Sequence, residues 1–486
     1  MRQRRRVVSG SLALLAAVTV IAASCSTGTG AGQPPRTSPP GGSGSAVVQP
    51  VAGQPVAGVK WEWDHVDLYR PYLEGFGGGV TFFELVWCDV EPQQGQRDWS
   101  AVDRVVADAG RLGFQMALKI RVGSCWATGQ RLSERGRQAK TASLLPSDLD
   151  AYRGFVAAVV SRYRPRGVER YAVENEVNAP VFWGSTAADY DHLVRVAAAV
   201  IHAADPEAVV LDGGISSTGS GAGLAAWLLD QGKADDAVAA YRRYYARRLE
   251  SGRSQMPDVH TPAELQAALD GPGRRSLEFL DATFRLARDH VIDAYQLHFY
   301  ERWDNVPGLL TWLRSRLPDG MPVQAWEVGL FWPGGPGDEA ELAGETAKVT
   351  ALLLAGGVRP VIWLPAIADV AGKGDELRWG LFDTAGQPRP AAGTFHQLAA
   401  EATGSTTSAL PDGALQGIAL ARDGRTSMTI WSDKGTRLAG APPPGARASS
   451  LAGKTLAWGP DGLRIDANPV VVEMSGPLDT ALGLIR

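Results

Sequence analysis

The sequence predicts an α/β protein, a (β/α)8 barrel followed by a small C-terminal all-β domain, and three observations lead there. From about Val56 onward, short β-rich apolar runs alternate with longer amphipathic helical stretches eight times, as in a parallel sheet with crossover helices. The 486 residues exceed the usual size of one domain and leave room for a barrel plus something small beside it. After a last helical pattern near Ala391 to Ala402 the texture changes to short alternating runs: Ala414 to Leu420, Ser427 to Trp431, Thr455 to Trp458, Leu463 to Asp466 and Val470 to Met474.

The barrel strands are read as Gly58 to Trp63, Val80 to Val86, Gln115 to Arg121, Arg170 to Asn175, Ala208 to Asp212, Ala294 to Phe299, Val323 to Glu327 and Pro360 to Leu364. Between them, stretches such as Leu149 to Tyr163, Ala187 to Ala204 and Ala340 to Ala355 repeat apolar residues at helical spacing. Eight such units favour a closed barrel over an open doubly wound sheet. The connection from about Ile215 to Ile292 is far longer than a normal crossover; it either walls the cleft or is a surface insertion.

The N-terminus reads as an export segment. Met1 to Arg6 is strongly basic, Leu12 to Ala23 is an apolar run short for a bilayer, and Ala22-Ala23-Ser24-Cys25 follows. Those residues resemble the lipobox of bacterial lipoproteins, which makes Cys25 the expected lipidation site. Ala22 stands where that pattern favours Leu, so anchoring to the outer face of a membrane and plain secretion both stay open. The plan is residues 1–25 as signal peptide, 26–54 as a Gly/Ser/Pro-rich tether, 55–404 as barrel and 405–486 as β domain.

The net charge of -4 points to neither nucleic acid nor an anionic membrane surface as a partner. Cys88 and Cys125 form an even pair in an oxidising compartment, each just past the end of one of two neighbouring strands. A bridge between them is expected, with two buried thiols as the alternative. The seven histidines show no metal-ligand spacing, and Gly75 to Gly79 lacks a phosphate-binding lysine, so no metal and no cofactor is expected.

In such a barrel the chemistry sits where strands deliver side chains to the C-terminal face. Glu176 closes the fourth strand in Tyr171-Ala172-Val173-Glu174-Asn175-Glu176, and Glu327 closes the seventh in Val323-Gln324-Ala325-Trp326-Glu327. Cleaving an acetal requires one carboxylic acid to protonate the leaving oxygen and one carboxylate across the anomeric carbon; a separation near 5 Å means retention and beyond about 6.5 Å inversion.

With these residues in place, positions 56 to 404 resemble glycoside hydrolase clan A, with Asn-Glu on the fourth strand and Glu on the seventh. Trp87-Cys88-Asp89-Val90-Glu91-Pro92, with Asp98-Trp99-Ser100, resembles family 39 and its neighbours. The resemblance implies Glu176 as acid/base, Glu327 as nucleophile and Asn175 as donor to the sugar 2-hydroxyl. It places His298 and Tyr300 beside the nucleophile and Trp363 on the floor of the sugar site. The clan's second-strand Arg is absent from Val80 to Val86, and Arg121 at the end of the third strand is the candidate substitute. Trp87, Trp126, Trp183, Trp303 and Trp332 are candidates to line sugar subsites. Two readings follow: a retaining glycosidase acting on an extracellular oligo- or polysaccharide, or a surface lipoprotein that binds carbohydrate on such a barrel without turnover.

Overall fold

The computed structural model describes residues 47–50, 54–129, 142–251, 256–331, 335–364, 378–383, 385–411 and 413–485. The export segment with Cys25, nearly all of the tether, and Trp332 lie outside the described residues. Eight parallel strands form the barrel: β1 (Ala57–Val59), β2 (Gly79–Val86), β3 (Phe114–Arg121), β4 (Arg170–Val173), β5 (Val209–Leu211), β6 (Tyr295–Phe299), β7 (Val323–Val328) and β8 (Val361–Trp363). Each pairs with its sequence neighbour, β8 returns to β1, and single bridges Leu211↔Ala294 and Ile215↔Leu297 close the ring between β5 and β6. That last seam is reinforced by the Asp212 carboxylate, which accepts the amide of Gln296 at 2.7 Å and that of Gly214 at 3.0 Å.

Alternation along the strands sets what fills the barrel. Val80, Phe82, Ala117, Ala172, Leu211, Ala294, Trp326 and Ile362 pack together as an apolar plug inside it, away from the larger core shared with the helices. With a side-chain period of two, the next inward positions on β2, β3 and β4 are Glu84, Lys119 and Glu174, followed by Arg121 on β3. An ionic layer therefore sits on an apolar one, at the C-terminal end of the strands.

Several helices begin at a side-chain cap written in the sequence. Asp148 accepts the amides of Asp150 and Ala151 to start Leu149–Tyr163, and Thr186 with Asp189 forms a capping box before Ala187–Ala204. The excursion after β5 is helical, with Ser217–Asp230, Ala234–Ser251, Pro262–Asp270 and Arg274–Arg288. Its first and last helices pack on one another and on the barrel's own helices. Cys88 and Cys125 are joined by a disulfide that ties the loop after β2 to the loop after β3, with Cα atoms 5.8 Å apart.

Beyond the helix Pro390–Ala402 come β9 (Thr406–Ala409), β10 (Gln416–Arg422), β11 (Arg425–Trp431), β12 (Thr436–Leu438), β13 (Arg447–Ser450), β14 (Leu463–Ile465) and β15 (Val470–Ser475). Strands β9, β10, β11, β15 and β13 form an antiparallel sheet in that order, with β12 and β14 as a separate pair. Two expectations need correction. Val47–Val48, placed in the tether, is an edge strand of this sheet paired with Ser408 and Thr407. Thr455 makes one bridge to Ser449 in place of a strand over Thr455 to Trp458. The helix Glu339–Ala355 is buried almost all round, between the barrel and β9 and β10. Among the described residues no helix is long and apolar enough to cross a membrane.

Candidate active site

Glu327 reaches the cleft through an irregularity in β7. Leu297 pairs with Ala325 but His298 pairs with Glu327, so Trp326 is an extra residue in the ladder. Trp326 fills the barrel plug, and the bulge lets the next side chain also turn inward instead of to the opposite face. There Glu327 Oε1 accepts from Lys119 Nζ at 2.6 Å and Oε2 from the Tyr300 hydroxyl at 2.8 Å. Burial by itself would raise the Glu327 pKa. The charges of His298 and Lys119 and the hydrogen bonds from Lys119 and Tyr300 outweigh it and hold the carboxyl well below the usual range.

The end of β4 turns sharply enough to aim three consecutive side chains at different partners. Glu174 and Glu176 both sit in the left-handed region, at φ 70° and 38°, where a non-glycine residue is strained. Glu174 is buried, accepts the Val122 amide at 2.7 Å and lies 3.5 Å from Arg121 Nε; burial pushes its pKa up to about 7 despite the arginine. Asn175 Oδ1 accepts from Lys119 Nζ at 2.6 Å. Glu176 donates its amide to Gly213 O at 2.9 Å and places Oε1 3.2 Å from His298 Nδ1.

His298 links the two carboxylates. The Gln296 amide donates to Asp212 O, which turns its own oxygen toward His298 Nε2 at 2.9 Å, so Nε2 carries a proton and donates. The 3.4 Å approach of Lys119 Nζ to Nε2 is then a contact between two donors. Nδ1 faces Glu176 at 3.2 Å and Glu327 at 3.5 Å, and one proton shared with Glu176 satisfies that arrangement. Gly214 makes room for the ring: at φ 72°, any Cβ there would stand 2.5 Å from Nε2.

Of the residues expected from sequence, Glu176, Glu327, Asn175, His298 and Tyr300 come together in one cluster, while Arg121 and the described tryptophans do not join it. Arg121, on the same strand as Lys119, binds Glu84 at 2.9 Å and lies beside Glu174; the cation that touches Glu327 is Lys119. Trp363 faces away from the barrel axis and packs on Phe395 of the helix Pro390–Ala402, because the inward positions of β8 are Ile362 and Leu364. Trp87 is buried against Phe155, with its indole N–H on Glu91. Trp126, Trp183 and Trp303 are likewise held in packing or by backbone carbonyls. Lys60, just past β1, was not anticipated either. Its ammonium donates to Trp61 O at 2.7 Å, and burial draws its pKa down to about 8 against the raising effects of Glu84 and Glu327.

Glu176, His298 and Glu327 offer donor atoms that all lie within 4.8 Å of one another. A metal ion could use such a set, but Lys119 already supplies the positive charge on the Glu327 side.

No family model matches the sequence, and no curated protein does. Solved structures match by shape. A family 39 glycoside hydrolase from the gut symbiont Bacteroides cellulosilyticus WH2 superposes with a TM-score of 0.57 at 17% identity, over 87% of this chain and 81% of that one. A monomeric β-xylosidase from Caulobacter crescentus CB15 gives 0.52 at 14% identity, over 89% and 98%. The GH39 enzyme from Xanthomonas axonopodis pv. citri gives 0.50 at 14% identity, over 89% and 96%. The chain therefore shares with these glycoside hydrolases their fold, a (β/α)8 barrel with an attached β domain.

Proposed function

We propose that the protein is a retaining glycoside hydrolase. The observation that carries this reading is the pair of carboxyl groups from opposite strands, Glu176 and Glu327, with donor atoms within 4.8 Å of each other across His298. That is the close spacing of double displacement, with no room for a water between nucleophile and sugar. Glu327, held ionised by Lys119 and Tyr300, attacks the anomeric carbon while Glu176 gives its proton to the departing glycosidic oxygen. The resulting glycosyl ester is then opened by water whose proton returns to Glu176, which restores the starting state. Lys119 stands where its charge favours the carboxylate needed for attack, and its bond to Asn175 fixes that amide facing the same space.

The substrate is read as an extracellular oligo- or polysaccharide. The basic N-terminus, the apolar run and Cys25 support export and lipid anchoring at the outer face of a membrane, and the Cys88–Cys125 bridge fits an oxidising compartment. One of the similar structures is named a β-xylosidase, so aryl β-xylosides head the trial panel.

The test is turnover of aryl glycosides by the chain lacking residues 1 to 25, with the anomer of the first product followed by NMR. Retention with loss of turnover in Glu176→Gln and Glu327→Gln is expected. Inversion, or turnover that survives Glu327→Gln, would sink the reading. Oligosaccharide binding without turnover would favour the carbohydrate-binding alternative.

A further inference from the structure

The excursion between β5 and β6 turns one of its side chains back onto the loop that carries Glu176. Arg275, the second residue of the helix Arg274–Arg288, donates Nε to Asn178 O at 2.9 Å and Nη2 to Trp183 O at 2.6 Å and Val177 O at 3.2 Å. Three carbonyls of one loop thus converge on one guanidinium, whose rigid planar fork suits several acceptors at once. The Phe279 ring, with its centroid 4.5 Å away, supports its face.

The same excursion engages the Asn178 side chain. Its amide nitrogen donates to Ser216 Oγ at 2.9 Å and Ser276 Oγ at 3.1 Å, and its oxygen accepts the Ser216 amide at 2.9 Å. The start of the excursion and the first turn of its last helix are therefore both bonded to the residues that follow Glu176.

Glu176 needs such support. A non-glycine residue at φ 38° is strained, and such a conformation persists only where surrounding structure over-determines it. The local bonds, Glu176 N to Gly213 O and Ala179 N to Glu176 O, fix its own peptide groups; the loop beyond is anchored by Arg275.

We propose that Arg275 is a positioning residue for Glu176, holding the loop 177–183 so that the carboxyl stays beside His298 and in place to protonate the leaving group. The proposal rests on Glu176 being the acid/base. Arg275 contacts backbone and no reacting atom.

The experiment compares Arg275→Ala and Arg275→Lys with Arg288→Ala, an exposed arginine of the same helix, in the chain lacking residues 1 to 25. First, kcat/KM is measured on a phenyl glycoside, whose leaving group needs a proton, and on a dinitrophenyl glycoside, whose leaving group does not. General acid catalysis is worth ~10²–10⁴-fold, so partial misplacement in Arg275→Ala is expected to cost ~10–100-fold on the phenyl substrate and less than about threefold on the other. Arg275→Lys should fall between, and Arg288→Ala should match the parent. Second, amide exchange in the segment 174–184 should speed up in Arg275→Ala while the rest of the barrel is unchanged. Equal loss on both substrates, or unchanged exchange in that segment, overturns the proposal. If the parent turns over no glycoside at all, the functional reading fails, and the exchange measurement alone decides whether Arg275 fixes the loop.

Discussion

Replacing Lys119 by methionine isolates the charge that keeps Glu327 ionised. The ammonium is fully buried, 2.6 Å from both Glu327 Oε1 and Asn175 Oδ1 and 4.4 Å from the Phe82 ring centroid, so methionine keeps the apolar stem and removes the cation together with its hydrogen bonds to both oxygens. An opposite charge in contact lowers a carboxyl pKa by about 1–3 units. Each unit is worth about 1.4 kcal/mol, so the variant should lose about 1–4 kcal/mol of preference for the carboxylate. In catalysis, the acidic limb of the kcat/KM profile should move up by about 1–3 pH units, and Lys119→Arg, which keeps the charge, should move it far less. In stability the sign also follows from the depressed pKa. Such a carboxyl contributes stability above its unfolded pKa of about 4.3 and loses it as pH falls through the folded value. The gap in melting temperature between parent and Lys119→Met should therefore be widest near neutral pH and should narrow in acid. An acidic limb that stays where it was in Lys119→Met would refute the argument that this cation sets the state of Glu327.

Glu174 has the opposite sign. Its folded pKa is raised to about 7 by burial, so the native state binds a proton that the unfolded chain has released, and stability falls as pH rises from about 4.3 to 7. Glu174→Gln should flatten that decline, which amounts to at most ~3 kcal/mol, in urea titrations at pH 5 and pH 7. Reduction of the Cys88–Cys125 bridge, or Cys88→Ser with Cys125→Ser, releases a loop spanning 37 positions and should cost up to about 4 kcal/mol, read by denaturant unfolding with and without reductant. Trp363→Phe should lower stability by about 1–2 kcal/mol through the gap left against Phe395 while leaving KM within about twofold. A large rise in KM would return Trp363 to the sugar site.

Most of the barrel could be read from sequence because its strands are buried on both faces and appear as short apolar runs between long amphipathic stretches. Glu176 and Glu327 stood out because a carboxyl at the end of such a run has no apolar reason to be there. What escaped depended on which face of a strand a residue occupies. Ala117, Lys119 and Arg121 share one face, an alternation that suffices to place Lys119 next to the site, although position at the strand end singles out Arg121. Trp363 was misplaced by the same phase question, since Ile362 and Leu364 take the inward positions. The bulge at Trp326 lies beyond any pattern argument: strict alternation would send Trp326 and Glu327 to opposite faces, and only the pairing with β6 shows the extra residue. Val47–Val48 is too short to register as a strand without its partner.

The helix Glu339–Ala355 is the next helix in sequence after the strand that bears Glu327, and it is covered on one side by the barrel and on the other by β9 and β10. A chain cut at the apparent boundary near residue 404 would bare the outer side of that helix. The C-terminal sheet is thus a wall of the building rather than a trailer hitched to it. Joining this barrel to a different appendage would require rewriting the helix as well as the joint.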